Sequence, residues 1–275
     1  MNGSILKQTR QRRPDRMGLA PALRVARVVI LVLSLGAPAA AEQVVVAAAA
    51  SMSYPIREIA EIFERETGHD VRLSEGSSGN FYSQILNGAP FDLFLSADVD
   101  YPARLVDAGV VEPGSLEVYA TGRIVVWVRD GSGLSPETTR IETLLDERVR
   151  RVAIANPDLA PYGRAAIEAL RYFHIEDRVE ERLVMGDNVS QTAQFASTGA
   201  AQAGVLALSI ARSEAMSSGT YWEIPAEAHA PIDQGMVILR RARSAGHYQA
   251  ARAFRDMVRG PVGRRILAEY GFEVE

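Results

Sequence analysis

Four short segments of this chain carry residue types suited to holding a small anion: Ala50-Ser51-Met52-Ser53, Gly76-Ser77-Ser78-Gly79, Ala160-Pro161-Tyr162-Gly163 and Asp187-Asn188-Val189-Ser190. Each brings small or hydroxyl residues to the start of a helical pattern. A helix N-terminus leaves N–H groups without intrahelical acceptors and carries about half a positive elementary charge. Hydroxyls and amides gathered from several such starts would hold a tetrahedral oxyanion with no Lys or Arg. Any one segment taken alone is better accounted for as a helix cap, since Ser, Asp and Asn are favoured there. Four of one design, spread along the chain, point to a shared site.

Other chemistries find less support. Acyl transfer by Ser51 or Ser78 would need a histidine base, and neither serine sits in a G-x-S-x-G elbow. The four histidines, His69, His174, His229 and His247, fall outside the four segments and lack metal-ligand spacing. The chain has no cysteine, which removes thiolate nucleophiles, thiolate metal sites and disulfides together. No enzymatic activity and no resident cofactor are therefore expected.

The elements that must position these segments alternate along the chain. Strand-like runs at Gln43–Ala49, Val71–Ser74 and Asp92–Ser96 are followed by helical patterns at Ile56–Thr67, Asn80–Leu86 and Tyr101–Ala108. A second set starts at Arg123–Val128 and continues with a helix over Ile141–Asp146, strand Val152–Ala155, helix Gly163–Phe173, strand Leu183–Met185, helix Ser190–Thr198 and strand Gly204–Leu208. The tail reads as strand Gly235–Leu239 and helices His247–Val258 and Val262–Tyr270. Alternation of this kind predicts βαβ units and mixed, mostly parallel sheets flanked by helices. The expected division is lobe I over 42–121 plus 232–275 and lobe II over 122–231, with the tail returning to lobe I.

Residues 1–41 read as a secretory leader. Seven basic residues precede the apolar run Val28–Leu35, and Ala39-Ala40-Ala41 supplies small residues for cleavage after Ala41. Met17 is an alternative start for a leader of more usual length. Without the leader the chain carries 23 basic and 33 acidic groups, a net charge of −10. That balance argues against nucleic acid or an anionic membrane as partner. No cysteine follows the leader, so no lipid anchor is expected, and the exported protein should be free, with no membrane insertion.

The motifs VVVAAAASM at Val44–Met52, GSSG at Gly76–Gly79 with Gln84-Ile85, and GAPFDLFLSAD at Gly88–Asp98 resemble the periplasmic molybdate-binding proteins of ABC transporters. ANPDLAPYG at Ala155–Gly163, DNV at Asp187–Val189 and YGF at Tyr270–Phe272 continue the resemblance in order. It implies a two-lobed type II periplasmic binding protein fold with two crossover strands, closing on molybdate or tungstate. The implied partner is the membrane permease of an ABC importer, and the implied state is a periplasmic monomer.

By matching motif positions, the resemblance implies that Ser51 and Ser78 donate hydroxyl and backbone N–H, and that Tyr162 and Val189 donate backbone N–H. Molybdenum would be present only as the bound oxyanion. Many relatives place a tyrosine hydroxyl where this chain has Ala207. Tyr162, Ser53 or Asn188 could complete the shell, and Met52 is a further neighbouring position. Asp92 and Asp98 are expected to be structural, because carboxylates beside a dianion repel it.

Sulfate shares the charge and shape of molybdate and remains the alternative ligand. Protonated phosphate would call for an acceptor in the pocket and a carboxylate solute for an arginine. Arg164 alone could serve the latter, though a solvated helix face is its expected place. A structural or adhesive exported protein without a ligand is the third class.

Overall fold

The computed structural model describes residues 41–274 together with Met1 and Gly3. The leader and the alternative start at Met17 lie outside the described residues.

Among the described residues, ten strands form two five-stranded sheets. The first contains β1 (Gln43–Ala49), β2 (Asp70–Gly76), β3 (Leu93–Ser96), β4 (Glu117–Gly122) and, from the tail, β10 (Ile232–Ile238), in the order β2-β1-β3-β10-β4. The second contains β5 (Ile124–Arg129), β6 (Val152–Ala155), β7 (Leu183–Gly186), β8 (Ala203–Ala207) and β9 (Gly219–Glu223), in the order β7-β6-β8-β5-β9. Both sheets are mixed in the same way. β1 runs parallel to β2 and β3, and β6 runs parallel to β7 and β8. β10 and β5 are antiparallel to both of their neighbours. Parallel pairing thus holds where helices connect the strands, and the strands that follow the two crossings, β5 and β10, run the other way.

The chain passes between sheets twice, at Arg123 between β4 and β5 and over residues 224–231 between β9 and β10.

A parallel strand needs cover on both faces, and β1 shows how the sequence supplies it. Val44, Val46 and Ala48 pack with Ile56, Ile59 and Phe63 of the helix Ser53–Thr67 and with Phe254 and Ile266 of the tail. Ala47 faces Phe81, Phe94 and Leu105 on the opposite side. The second sheet has its own core around the fully buried Trp127.

The apolar interior of GAPFDLFLSAD is core, and Asp92 is a tie. Its fully buried carboxylate accepts from the Val45 N–H at 2.9 Å and contacts His247 Nδ1 at 3.0 Å. Arg241 completes the set as its ion-pair partner. One carboxylate therefore joins the first sheet to the returning tail.

Candidate functional site

The four segments converge. Ser51 lies in a single 3-10 turn, Ala50–Met52, between β1 and the helix Ser53–Thr67. Ser78 is the first residue of the helix Ser78–Leu86 after β2, and Val189 is the first of Val189–Ser197 after β7. Tyr162 is the second residue of the helix Pro161–Tyr172, where Pro161 occupies a position at which its missing N–H costs nothing. All four line one cavity of about 10 Å³, with Ser77, Asn188 and small residues completing the wall. Sites for drug-sized ligands run to roughly 300–1,000 Å³, whereas this space holds about one water-sized group and leaves no room for a large solute.

Capping and donation are divided between neighbouring residues. Ser77 is extended and its hydroxyl accepts from the Asn80 N–H at 3.4 Å, which makes it the cap. Ser78, 1% exposed, uses its Oγ to accept from the Ala97 N–H at 2.9 Å. Its own proton is then directed elsewhere, available to an acceptor in the cavity. Asn188 repeats the division: its side-chain oxygen accepts from the N–H groups of Ser190 at 3.0 Å and Gln191 at 3.1 Å. Val189, next in sequence, is at a position whose N–H has no intrahelical partner.

Glycine lets the second sheet deliver Tyr162. A Cβ at Gly163 would lie 2.2 Å from the Ala155 carbonyl oxygen, so only glycine allows this helix to start against the end of β6. The Tyr162 side chain reaches the first crossing, where a Cβ on Gly122 would lie 2.1 Å from its hydroxyl. Burial pushes the phenol's pKa far up, against the opposing effect of hydrogen bonds with Ser51 and Gln234. The group is therefore a neutral hydroxyl at any physiological pH.

Gln234 was not singled out in the sequence. It is fully buried in β10, donates to Ile232 O at 2.8 Å and Ala97 O at 3.3 Å, and accepts from Ser51 Oγ at 3.5 Å. From the second sheet's side, Ser209 donates to the Ser51 carbonyl at 2.7 Å. The available signal was a carboxamide inside the apolar run IDQGMVI.

The remaining candidates lie beside the cavity and do not line it. Met52 is buried in the first core, and the Ser53 hydroxyl donates to Ala50 O at 2.9 Å. Ala207 is buried in β8 opposite Ile124. Arg164 lies on a helix face with its side chain about two-fifths exposed, and its guanidinium also bonds Asp98 Oδ2 at 2.5 Å, because the helix Pro161–Tyr172 faces the end of β3.

No charged side chain lines the cavity, and none of the four histidines does. No cluster of metal-ligating side chains and no helix long and apolar enough to cross a membrane occurs among the described residues.

Two helix-flanked sheets with a small, donor-lined cavity at helix starts from both define a two-lobed solute-binding protein. The chain belongs to the bacterial extracellular solute-binding protein family, which matches residues 44–273. It is 38% identical to the molybdate-binding protein ModA of Rhodobacter capsulatus over 89% of this chain and 94% of that protein. Identity to the ModA of Azotobacter vinelandii is 36% over 89% of this chain and 97% of that one. The solved periplasmic molybdate-binding protein of Azotobacter vinelandii superposes with a TM-score of 0.76 at 33% identity, covering 84% of this chain and 99% of that structure.

Proposed function

We propose that this protein captures molybdate or tungstate in the cavity between its two lobes and delivers it to the permease of an ABC importer. The observation that carries the reading is the cavity wall: serine hydroxyls and helix-start amides from both sheets, with no carboxylate and no cation. Such a wall favours a fully deprotonated tetrahedral oxyanion. Hydrogen phosphate would leave its own proton without an acceptor there, and a carboxylate solute would lack its arginine.

The mechanism is capture by closure. Ser51 and Ser78 of the first lobe receive the anion, and hinge motion at the two crossings brings the Tyr162 and Val189 amides onto the remaining oxygens. Neutral donors give the affinity, and the closed form is what the permease recognises. The protein acts as a monomer in the periplasm after removal of its leader and needs no cofactor. Catalysis has no base at either serine.

Isothermal titration of residues 42–275 with molybdate, tungstate, sulfate and phosphate tests the reading. Tight binding of molybdate and tungstate is expected. Tight sulfate binding with none of molybdate would overturn it.

A further inference from the structure

Asp98 and Arg164 are charged groups beside the cavity that take no part in the wall described above. Asp98 follows β3 on the first lobe, and Arg164 sits in the first turn of the helix Pro161–Tyr172 on the second. Their ion pair, Nη2 to Oδ2 at 2.5 Å, spans the two lobes. The Arg164 guanidinium also lies 5.8 Å from the centre of the Tyr101 ring. Tyr101 in turn donates from its hydroxyl to Asp158 O at 3.5 Å, and the Gly79 N–H donates to Leu159 O at 2.9 Å. Asp98, Tyr101 and Gly79 thus meet Asp158, Leu159 and Arg164 along a single seam.

The pieces are placed by independent constraints. Asp98 Oδ1 accepts from Ser96 Oγ at 3.0 Å and from the Tyr101 N–H at 3.2 Å, which fixes the carboxylate and starts the helix Asp100–Asp107. Only Oδ2 is left for Arg164. Gly79 has no room for a side chain: a Cβ would lie 2.9 Å from Leu159 O and 2.8 Å from the Tyr101 hydroxyl. Backbone therefore meets backbone across the lobes at one end of the seam, and opposite charges meet at the other.

We infer that Arg164 and Asp98 form a closure latch, positioning residues that set how long the bound anion stays without touching it. This inference rests on the capture reading above. An ion pair between lobes exists only while they are together, so it stabilises the closed state and leaves the open state unchanged. It also keeps Arg164 neutralised and out of the anion's wall. Arg164 is about two-fifths exposed and Asp98 about one-seventh. Pairs at such sites contribute up to about 1 kcal/mol, which corresponds to roughly fivefold in a rate.

The test measures release of radiolabelled molybdate from the wild type, Arg164→Gln, Asp98→Asn and the double variant, after a chase with excess unlabelled molybdate. Asp98→Asn keeps the Oδ1 acceptor for Tyr101 and removes only the charge. Each single variant is expected to release the anion about 2- to 5-fold faster, with the double variant no faster than either single one. Ligand-free melting temperatures should match the wild type. Raised salt should speed wild-type release and leave the variants unaffected, because an exposed pair is screened.

Wild-type release rates in both single variants would overturn the latch. So would an equal loss of ligand-free stability, which would make the pair a constitutive strut. Should a variant fold poorly, salt-independent release from the wild type would overturn the latch by itself. If the wild type bound no oxyanion at all, the capture reading would fall and the latch with it.

Discussion

Replacing Ser78 by alanine separates an anion donor from a helix cap. In the folded protein the Ser78 hydroxyl is 1% exposed and accepts from the Ala97 N–H at 2.9 Å. Under the capture reading its proton goes to an anion oxygen. Losing a hydrogen bond to a charged group costs about 1.5–3 kcal/mol, which is roughly a 10- to 150-fold loss of affinity for molybdate. A second cost falls on the ligand-free protein, because the Ala97 N–H loses its acceptor, worth about 1–3 kcal/mol. The two costs are read separately, by isothermal titration and by thermal unfolding without ligand. Ser77→Ala is the control, since its loss is that of a cap, about 0.5–2 kcal/mol of stability, with affinity held nearer the wild type. Equal affinity losses for the two variants, or a Ser78→Ala dissociation constant equal to that of the wild type, would refute the division of labour between these serines.

Gly163→Ala should destabilise the fold by about 1–3 kcal/mol and weaken anion binding as well. Its Cβ would sit 2.2 Å from the Ala155 carbonyl oxygen and displace the helix start that carries Tyr162; melting and titration check both effects. Gly79→Ala should change ligand-free stability little, because the helix preference of alanine, about 1 kcal/mol, is opposed by its Cβ lying 2.8 Å from the Tyr101 hydroxyl of the same lobe. It should nevertheless bind molybdate less tightly, since its Cβ meets Leu159 across the closed cleft; lower ligand-free stability with intact affinity would contradict this. Tyr119→Phe should raise stability by about 1 kcal/mol, because the Tyr119 hydroxyl is buried and has no partner among the described residues.

The same Tyr119 hydroxyl predicts an alkaline limb. Burial, aided by the nearby Tyr162, holds its pKa well above that of a free phenol, and Tyr162 is itself raised by burial. The unfolded chain loses both protons near pH 10 while the folded one keeps them. Stability is therefore fully present below about pH 10 and falls as pH rises through the folded values. Melting curves taken across that range should show a shallower decline in Tyr119→Phe than in the wild type.

Most of this architecture was legible because the strands are apolar runs of the right length and the helices keep their period. The strands Glu117–Gly122 and Gly219–Glu223 were not identified. The first, EVYATG, mixes polar and small residues as it leaves one sheet for the other. The second, GTYWE, is an edge strand half-buried at every position, so no alternation marks it. The helix expected over Ile141–Asp146 is a 3-10 turn, Arg140–Leu145. At the candidate site, residue type alone singled out four segments that line one cavity. It could not tell which serine of Ser77-Ser78 caps the helix, because that depends on the extended backbone at Ser77. Nor could it pair Arg164 with Asp98 or Tyr162 with Gly122, since these contacts arise only when the two sheets face each other.

That facing arrangement explains how a chain with 33 acidic and 23 basic groups over residues 42–275 can receive a dianion. Arg164, two residues from Tyr162 in the wall, is tied to a carboxylate from the opposite lobe, and the wall itself is neutral. Attraction then comes from oriented N–H and O–H dipoles at close range, which act only where an oxygen sits within hydrogen-bond distance. Long-range steering by net charge works against the ligand and is screened by salt. Association should consequently speed up as ionic strength rises, whereas a wall built on arginine would slow. Selection among oxyanions of equal charge falls to how closely the walls approach, and Gly79 and Gly163 permit that approach, since a Cβ at either would lie within 3 Å of a carbonyl oxygen.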